Sequence, residues 1–482
     1  MADETKDEVQ KLHHLMKTDD KFNRDCSVIA MSLGLSFLPN PDKALELAPL
    51  RSTLIGRLFR RSKFEQVAGL TSLIHRLIFA ICSKPQWLID SLKDVCISDQ
   101  FTARLCQIMS DVYLAENPKK FNEDVFALRT DYMTTENESR ILQVEVNTIS
   151  AGFANASEAL GIFHKWIRNR ALLTQANQPF SEPGSGLARG LAKAHGIFLE
   201  RYNLATSTQV KILFIVEAKE RNEIDQRLLE ISLLKNHGIS IDRMTLEEVS
   251  DRCKINDNSF LVNDHCCYSL VYFRSGYGPA HYQSEKDWKA RELIERSASM
   301  KCPSIPGQLA GTKKVQQLWF TRGAVLLGEL GLSETEISQL MKVFAIQADP
   351  VDEPEIVKRA IENPHAWVLK PQREGGGNNI YKEKVKEALI SMSPTELKQY
   401  VLMERMQPER RQALVARGNL DGSALLTELI DDSICELGIF SMFIPNHLDE
   451  CTGHLIRTKD CHIDEGGVNA GFSFLDTACL VD

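Results

Sequence analysis

Apolar residues return every three or four positions through the first quarter of the chain, as in Phe64, Val67, Leu70, Leu73, Ile74, Leu77 and Ile78, and this period predicts amphipathic helices over residues 6–117. Residues 126–133 and 141–149 alternate instead, which predicts two strands joined by the polar turn 134–140, with a helix from near Asn155. Pro179, Pro183, Gly184 and Gly186 mark 177–186 as a loop ahead of a small-residue helix, 187–202. The apolar run 211–217 reads as a buried strand, followed by a helix at 223–236 and strands at 239–243 and 270–273. That β–α alternation predicts a small doubly wound unit over 205–311. Helices resume up to the apolar segment 366–370, and the last third alternates loops with strands at 400–404, 428–443 and 454–459. The fold class expected is α/β or α+β.

Composition narrows the function. With 43% hydrophobic and 25% charged residues among 482, the chain is neither disordered nor fibrous. A net charge of -8 argues against a nucleic-acid partner while leaving room for a local basic pocket. The longest apolar stretch, about 70–89, is interrupted by His75, Arg76, Lys84 and Gln86, so no transmembrane helix and no membrane partner are expected. Residues 1–21 are densely charged without an apolar h-region, so no secretory signal is expected. The twelve cysteines include no CxxC pair, which points to a reducing, cytoplasmic home.

Chemistry concentrates in three places. Lys370-Pro-Gln-Arg-Glu-Gly-Gly-Gly-Asn-Asn379 follows an apolar strand, and its glycines free backbone N–H groups to converge on an anion. Lys370 and Arg373 add positive charge and Glu374 offers a cation ligand, as in a lid over a nucleotide triphosphate. In 143–150, a regular strand places Gln143, Glu145 and Asn147 on one face, with Val144 and Val146 on the other. Such hard oxygen donors suit magnesium. Arg129, Arg274, Arg457 and Lys459 sit at strand ends, where guanidinium forks grip carboxylates and suggest an anionic organic substrate. P-loop, H-E-x-x-H and G-x-S-x-G patterns are absent.

Taken together, residues 143–150, 274–277, 308–317, 370–379, 436–440 and 455–459 resemble eukaryotic glutathione synthetase, a likeness running in order from about Phe101 to Ala470. The resemblance implies an ATP-grasp fold with an inserted substrate domain: 1–204 as helical region and first part of the body, 205–311 as the insert, and 312–482 as the remainder with a lid at 370–390. It implies a homodimer that joins γ-glutamylcysteine to glycine, or another small amine, using ATP and two magnesium ions. By that likeness Glu145, Asn147 and Glu374 hold magnesium. ATP falls to Glu145, Lys313, Lys370, Gln372, Glu374, Gly375, Gly376, Gly377, Asn378, Asn379, Tyr381, Met403, Glu404, Arg405, Met406, Glu436, Lys459 and Glu465. The dipeptide falls to Arg129, Ser150, Ala151, Gly152, Phe153, Glu220, Asn222, Gln226, Arg274, Ser275, Tyr277, Arg457, Val468 and Asn469, with Arg129 and Arg457 as the catalytic cations.

Three departures from the family pattern stand on the peptide side. Gly152 occupies the place of a serine, Ser275 that of an aspartate, and Asn469 that of a common alanine. The nucleotide and metal positions match, which predicts retained ATP chemistry with altered or weakened acceptor choice, or else a catalytically weak binder of thiol peptides.

Overall fold

Long alternating strands in the C-terminal third form the centre of the molecule. Leu425–Ile444 runs antiparallel between Leu448–Asp460 and Phe126–Thr134, and Ile141–Asn147 closes one edge of this seven-stranded sheet. The computed structural model describes residues 2–116, 124–135, 139–204, 209–372, 378–419 and 424–482. Apolar residues cover both faces of the sheet. Phe440, Met442 and Leu455 join a core with the helices Ala154–Arg170 and Pro183–Arg201, while Leu437, Ile439 and Ile456 join another with the helix Thr71–Cys82. The stretch Arg61–Cys82 is long and apolar enough to cross a membrane by length and composition. It folds as two helices, Arg61–Ala68 and Thr71–Cys82, with Leu73, Ile74, Leu77, Ile78 and Ile81 buried in that core.

Three expectations need correction. Residues 33–60 are not helical: after the helix Asp20–Ser32 come the short strands Ser36–Phe37, Ala48–Pro49, Ser52–Thr53 and Arg57–Arg60. Ser36–Phe37 pairs with Ala48–Pro49, while the other two have partners far along the chain, Ser52–Thr53 beside Phe474–Asp476 and Arg57–Arg60 beside Ala478–Val481, so local periodicity carries no trace of those two. The loop at 177–186 ends early, because Pro183 opens the helix Pro183–Arg201. Gly186 and Gly190 of that helix lie hard against Thr452 and Met442, a packing role. The third correction concerns the strand at 141–147 and is described with the site.

Two smaller sheets flank the centre. Ile241–Met244, Val210–Ile215, Cys267–Phe273 and Met300–Cys302 run parallel, with the helices Glu223–His237 and Glu285–Arg296 in the connections. An antiparallel sheet of Gln347–Ala348, Tyr400–Glu404, Trp367–Pro371 and Ile380–Tyr381 packs on the helices Pro354–Glu362 and Glu383–Ser391.

Candidate active site

A cleft of ≈ 230 Å³ opens between the four-stranded sheet and one end of the central sheet. Val144, Val368, Met403, Met406, Tyr381 and Ile463 make one region apolar. Arg129, Glu145, Asn147, Lys313, Lys370, Glu436, Arg457 and Lys459 make the other charged. An apolar slot beside clustered cations suits an aromatic base joined to phosphates.

The charged region is tightly organised. Arg129 grips the buried Asp131 with both arms, Nε to Oδ1 at 2.7 Å and Nη2 to Oδ2 at 2.9 Å. Arg457 donates to Asp131 at 3.0 Å and to Glu436 at 2.7 Å, and Lys313 lies 3.6 Å from Glu145. Burial would push Glu145 up, yet Lys313, Lys370, Arg457 and Arg129 outweigh it and hold the carboxyl down to about 2. Glu436 goes the other way, raised by burial and by the negative charges of Asp131 and Glu145 despite Arg457. Burial also lowers Lys370 and Lys459. Asn147 donates to the Arg129 carbonyl at 3.1 Å and to Asp131 at 2.8 Å, which leaves its carboxamide oxygen as the acceptor toward the cleft. A charged Glu145, this amide oxygen and carboxylates that repel one another form a donor set fit for a hard divalent cation.

The strand carrying Glu145 is not regular. Its register slips between Asp131 and Tyr132, which pair with Glu145 and Gln143 respectively, so Val144 is a bulged residue. Val144 therefore lines the cleft, while Gln143 turns into the interior against Gln316 at 3.5 Å. The expectation that Gln143 shares a face with Glu145 and Asn147 is corrected. Gln316, on the helix Lys313–Thr321, bonds both the N–H and the C=O of Val146 and holds the bulge in place.

Most residues assigned to ATP by resemblance meet here: Glu145, Lys313, Lys370, Asn378, Asn379, Tyr381, Met403, Glu404, Arg405, Met406, Glu436, Lys459 and Glu465 all line the cleft. Gln372 does not; it accepts from the Lys314 N–H at 3.1 Å and borders an adjoining pocket of ≈ 30 Å³ with Lys313, Thr148 and Tyr277. Arg373, Glu374, Gly375, Gly376 and Gly377 lie outside the described residues. The 460–467 segment is tied down over the cleft, with Lys459 donating to the Asp464 and Glu465 carbonyls and Arg405 to the Asp464 carboxylate at 2.8 Å.

The peptide set forms a second neighbourhood beyond that pocket. Ser150 and Phe153 both adopt positive φ, 54° and 69°, a strained turn for residues bearing side chains. Asp225 secures it by accepting the Phe153 and Ala156 N–H groups, and Ser150 Oγ donates to the Phe273 carbonyl at 3.1 Å. Gly152 faces Arg274 and Asn222. Arg274, Asn222, Gln226 and Ser275 are buried, and Arg274 Nη1 has no hydrogen-bond partner among the described residues. Glu220 accepts from the Asn222 N–H and from Gln226, while Tyr277 donates to Glu217. Val468 is buried in the core and Asn469 is exposed, its carbonyl accepting from Arg221; neither lines the cleft. Sequence reasoning missed Asp131, two residues from Arg129 and on the same face, although that spacing was the available signal.

A family model described as eukaryotic glutathione synthase, ATP binding domain, matches residues 16–480. Glutathione synthetase of Dictyostelium discoideum is 36% identical over 86% of this chain and 88% of its own. That of Homo sapiens is 34% identical over 91% of each. The chloroplastic glutathione synthetase of Solanum lycopersicum is 35% identical over 89% of this chain and 77% of its own. Among solved structures, a glutathione synthetase like-effector from Globodera pallida in apoform superposes with a TM-score of 0.72 at 20% identity, covering 96% of both chains, a likeness of fold.

Proposed function

The chain belongs to the eukaryotic glutathione synthase family of ATP-dependent ligases, and on that premise we propose that its cleft binds ATP and ligates γ-glutamylcysteine to glycine. The observation that carries this reading is a cleft in which an apolar slot adjoins Glu145, Lys313, Lys370, Arg457 and Lys459. The adenine ring occupies the slot beside Met403 and Met406, and Lys313, Lys370 and Lys459 receive the phosphates. Glu145 and Asn147, with Glu374 of the lid, would hold magnesium, which when bound neutralises charge on the phosphoryl oxygens. The surrounding architecture is read as an ATP-grasp body over 1–204 and 312–482, with 205–311 inserted between.

The dipeptide's terminal carboxylate is a poor electrophile until phosphoryl transfer from ATP makes it an acyl phosphate. The amine of glycine then attacks the activated carbonyl and phosphate leaves. Arg129 and Arg457, fixed by Asp131 and Glu436, stabilise the negative charge that grows on the carbonyl oxygen. Arg274, Asn222, Gln226 and Glu220 hold the dipeptide's free amino-acid end, and the unpartnered buried Nη1 of Arg274 suits a carboxylate there. All twelve cysteines are free, in keeping with a reducing compartment, and the resemblance also implies a homodimer.

A second reading, ligation of a different amine, draws on Gly152, whose place beside Arg274 and Asn222 lacks the serine hydroxyl of the family. The deciding assay measures ADP release with ATP, magnesium and γ-glutamylcysteine while glycine, β-alanine, serine or no acceptor is supplied. Glycine-dependent release is expected. Preference for another amine supports the second reading, and no dipeptide-dependent release overturns both.

A further inference from the structure

Arg243 sits on the strand Ile241–Met244 and reaches the groups assigned to the dipeptide through Gln226. Its Nη2 donates to Gln226 Oε1 at 2.8 Å, and Gln226 Nε2 donates onward to Glu220 Oε2 at 3.1 Å. The other oxygen of Glu220 accepts the Asn222 N–H at 2.7 Å. Arg243 thereby decides which way the Gln226 carboxamide points, with its oxygen toward the guanidinium and its nitrogen toward the carboxylate. Without that donor the amide is free to turn its oxygen toward Glu220, setting two acceptors against each other.

Among the described residues, Nη1 of Arg243 is buried with no hydrogen-bond partner, as is Nη1 of Arg274. The nearby acids Glu223 and Glu230 are engaged by Arg227 at 2.8 and 2.9 Å. Burial, and next the charge of Arg227, hold Arg243 down to about 10, and Arg274 adds to the same repulsion. Arg274 is buried and Arg243 half-buried, and each keeps one buried donor that an anionic ligand would satisfy.

We propose that Arg243 is a positioning residue that sets specificity for the free amino-acid end of the dipeptide, orienting Gln226 toward Glu220 for the ammonium and reinforcing Arg274 for the carboxylate. This rests on the ligase reading above. In steady-state kinetics, Arg243→Met should raise KM for γ-glutamylcysteine about tenfold or more, the effect of losing a charge-assisted hydrogen bond, with kcat and the KM for ATP nearly unchanged. The penalty should shrink for glutaryl-cysteine, which lacks the amine, and for 4-aminobutanoyl-cysteine, which lacks the carboxylate. Should Arg243→Met fail to fold, judged by its melting curve, Arg243→Lys carries the same comparison and should show a smaller rise. A wild-type protein that releases no ADP with dipeptide and glycine overturns the ligase reading and this inference with it. A working wild type overturns only the role of Arg243 under any of three results: a variant that matches it, an equal rise in KM for ATP, or the same penalty on all three dipeptides.

Discussion

A Cβ on Gly152 would lie 3.1 Å from Arg274 Nη2 and 3.3 Å from Asn222 Nδ2. Both neighbours are ends of flexible side chains, so a few tenths of an ångström of give admits a side chain there. Gly152→Ser is therefore expected to fold normally and to place a hydroxyl where it can join Arg274 in holding the dipeptide. One added hydrogen bond corresponds to a KM for γ-glutamylcysteine lower by about three- to tenfold, with the KM for ATP unmoved. Steady-state kinetics at saturating ATP checks this, and a raised dipeptide KM would show that Gly152 is needed for room. At this scale the sequence was informative wherever a residue type and its place on a strand sufficed. Arg129, Glu145, Lys370 and Arg457 were all legible, and all four meet in one cleft. Asp131 was not, because its importance lies in gripping two arginines at once, one of them 326 positions away.

Elements carry these residues to their places, and one close approach governs how the cation-bearing helix sits. Gly311 ends the helix Ile305–Ala310 just before Lys313–Thr321, and a Cβ there would come within 2.3 Å of Thr148 Oγ1 and 2.8 Å of Thr148 Cγ2. Thr148 is itself buried, so the clash must move backbone. Gly311→Ala should cost about 1–3 kcal/mol of stability and raise the KM for ATP by displacing Lys313. Gly328, exposed inside the helix Gly323–Glu329 with nothing within 4 Å, supplies the contrast. Gly328→Ala should be neutral or stabilising by up to about 1 kcal/mol, with ATP kinetics unchanged. Denaturant unfolding and ATP titration of both variants read the difference, and equal behaviour would remove the steric argument. The same scale shows where periodicity fails. Helices such as Thr71–Cys82 and the strand Val210–Ile215 follow their local patterns. The bulge at Val144 does not, since Gln316 imposes it from a helix 170 residues away in sequence. The short strands Ser52–Thr53 and Arg57–Arg60 owe their existence to partners at the opposite end of the chain.

Those end-to-end pairings make the whole molecule sensitive to acid. His164, on the helix Ala154–Arg170, bonds the Thr53 carbonyl at 2.9 Å and the Thr477 hydroxyl at 2.8 Å, linking the early and final strands. His454 accepts the Ala478 N–H at 3.0 Å beside the same C-terminal strand. Burial depresses both imidazoles from 6.5 to about 4, so the folded chain keeps them neutral. Above 6.5 neither state takes up a proton and these groups leave stability independent of pH. Between 6.5 and about 4 the unfolded chain is protonated and the folded chain is not, so stability is lost as pH falls through that window. The slope for each fully excluded proton is about 1.4 kcal/mol per pH unit. Asp225, Asp476 and Glu436, raised by burial, act in the opposite sense at the acid end, because the folded chain protonates them first. Glu145, lowered by the surrounding lysines and arginines, and Asp449, lowered by its hydrogen bond with His75, add to the loss below the ordinary carboxylate range. Calorimetric melting should therefore be level from about pH 7 to 8 and fall from about pH 6.5 to 5 as the two imidazoles resist protonation, with the raised carboxylates offsetting part of that fall. Replacing His454 with Gln should lower the melting temperature near neutrality while flattening that fall, since the variant has one excluded proton fewer. A profile that stays level down to about pH 5 would mean that the two imidazoles are not held neutral by the packing that joins the ends of the chain.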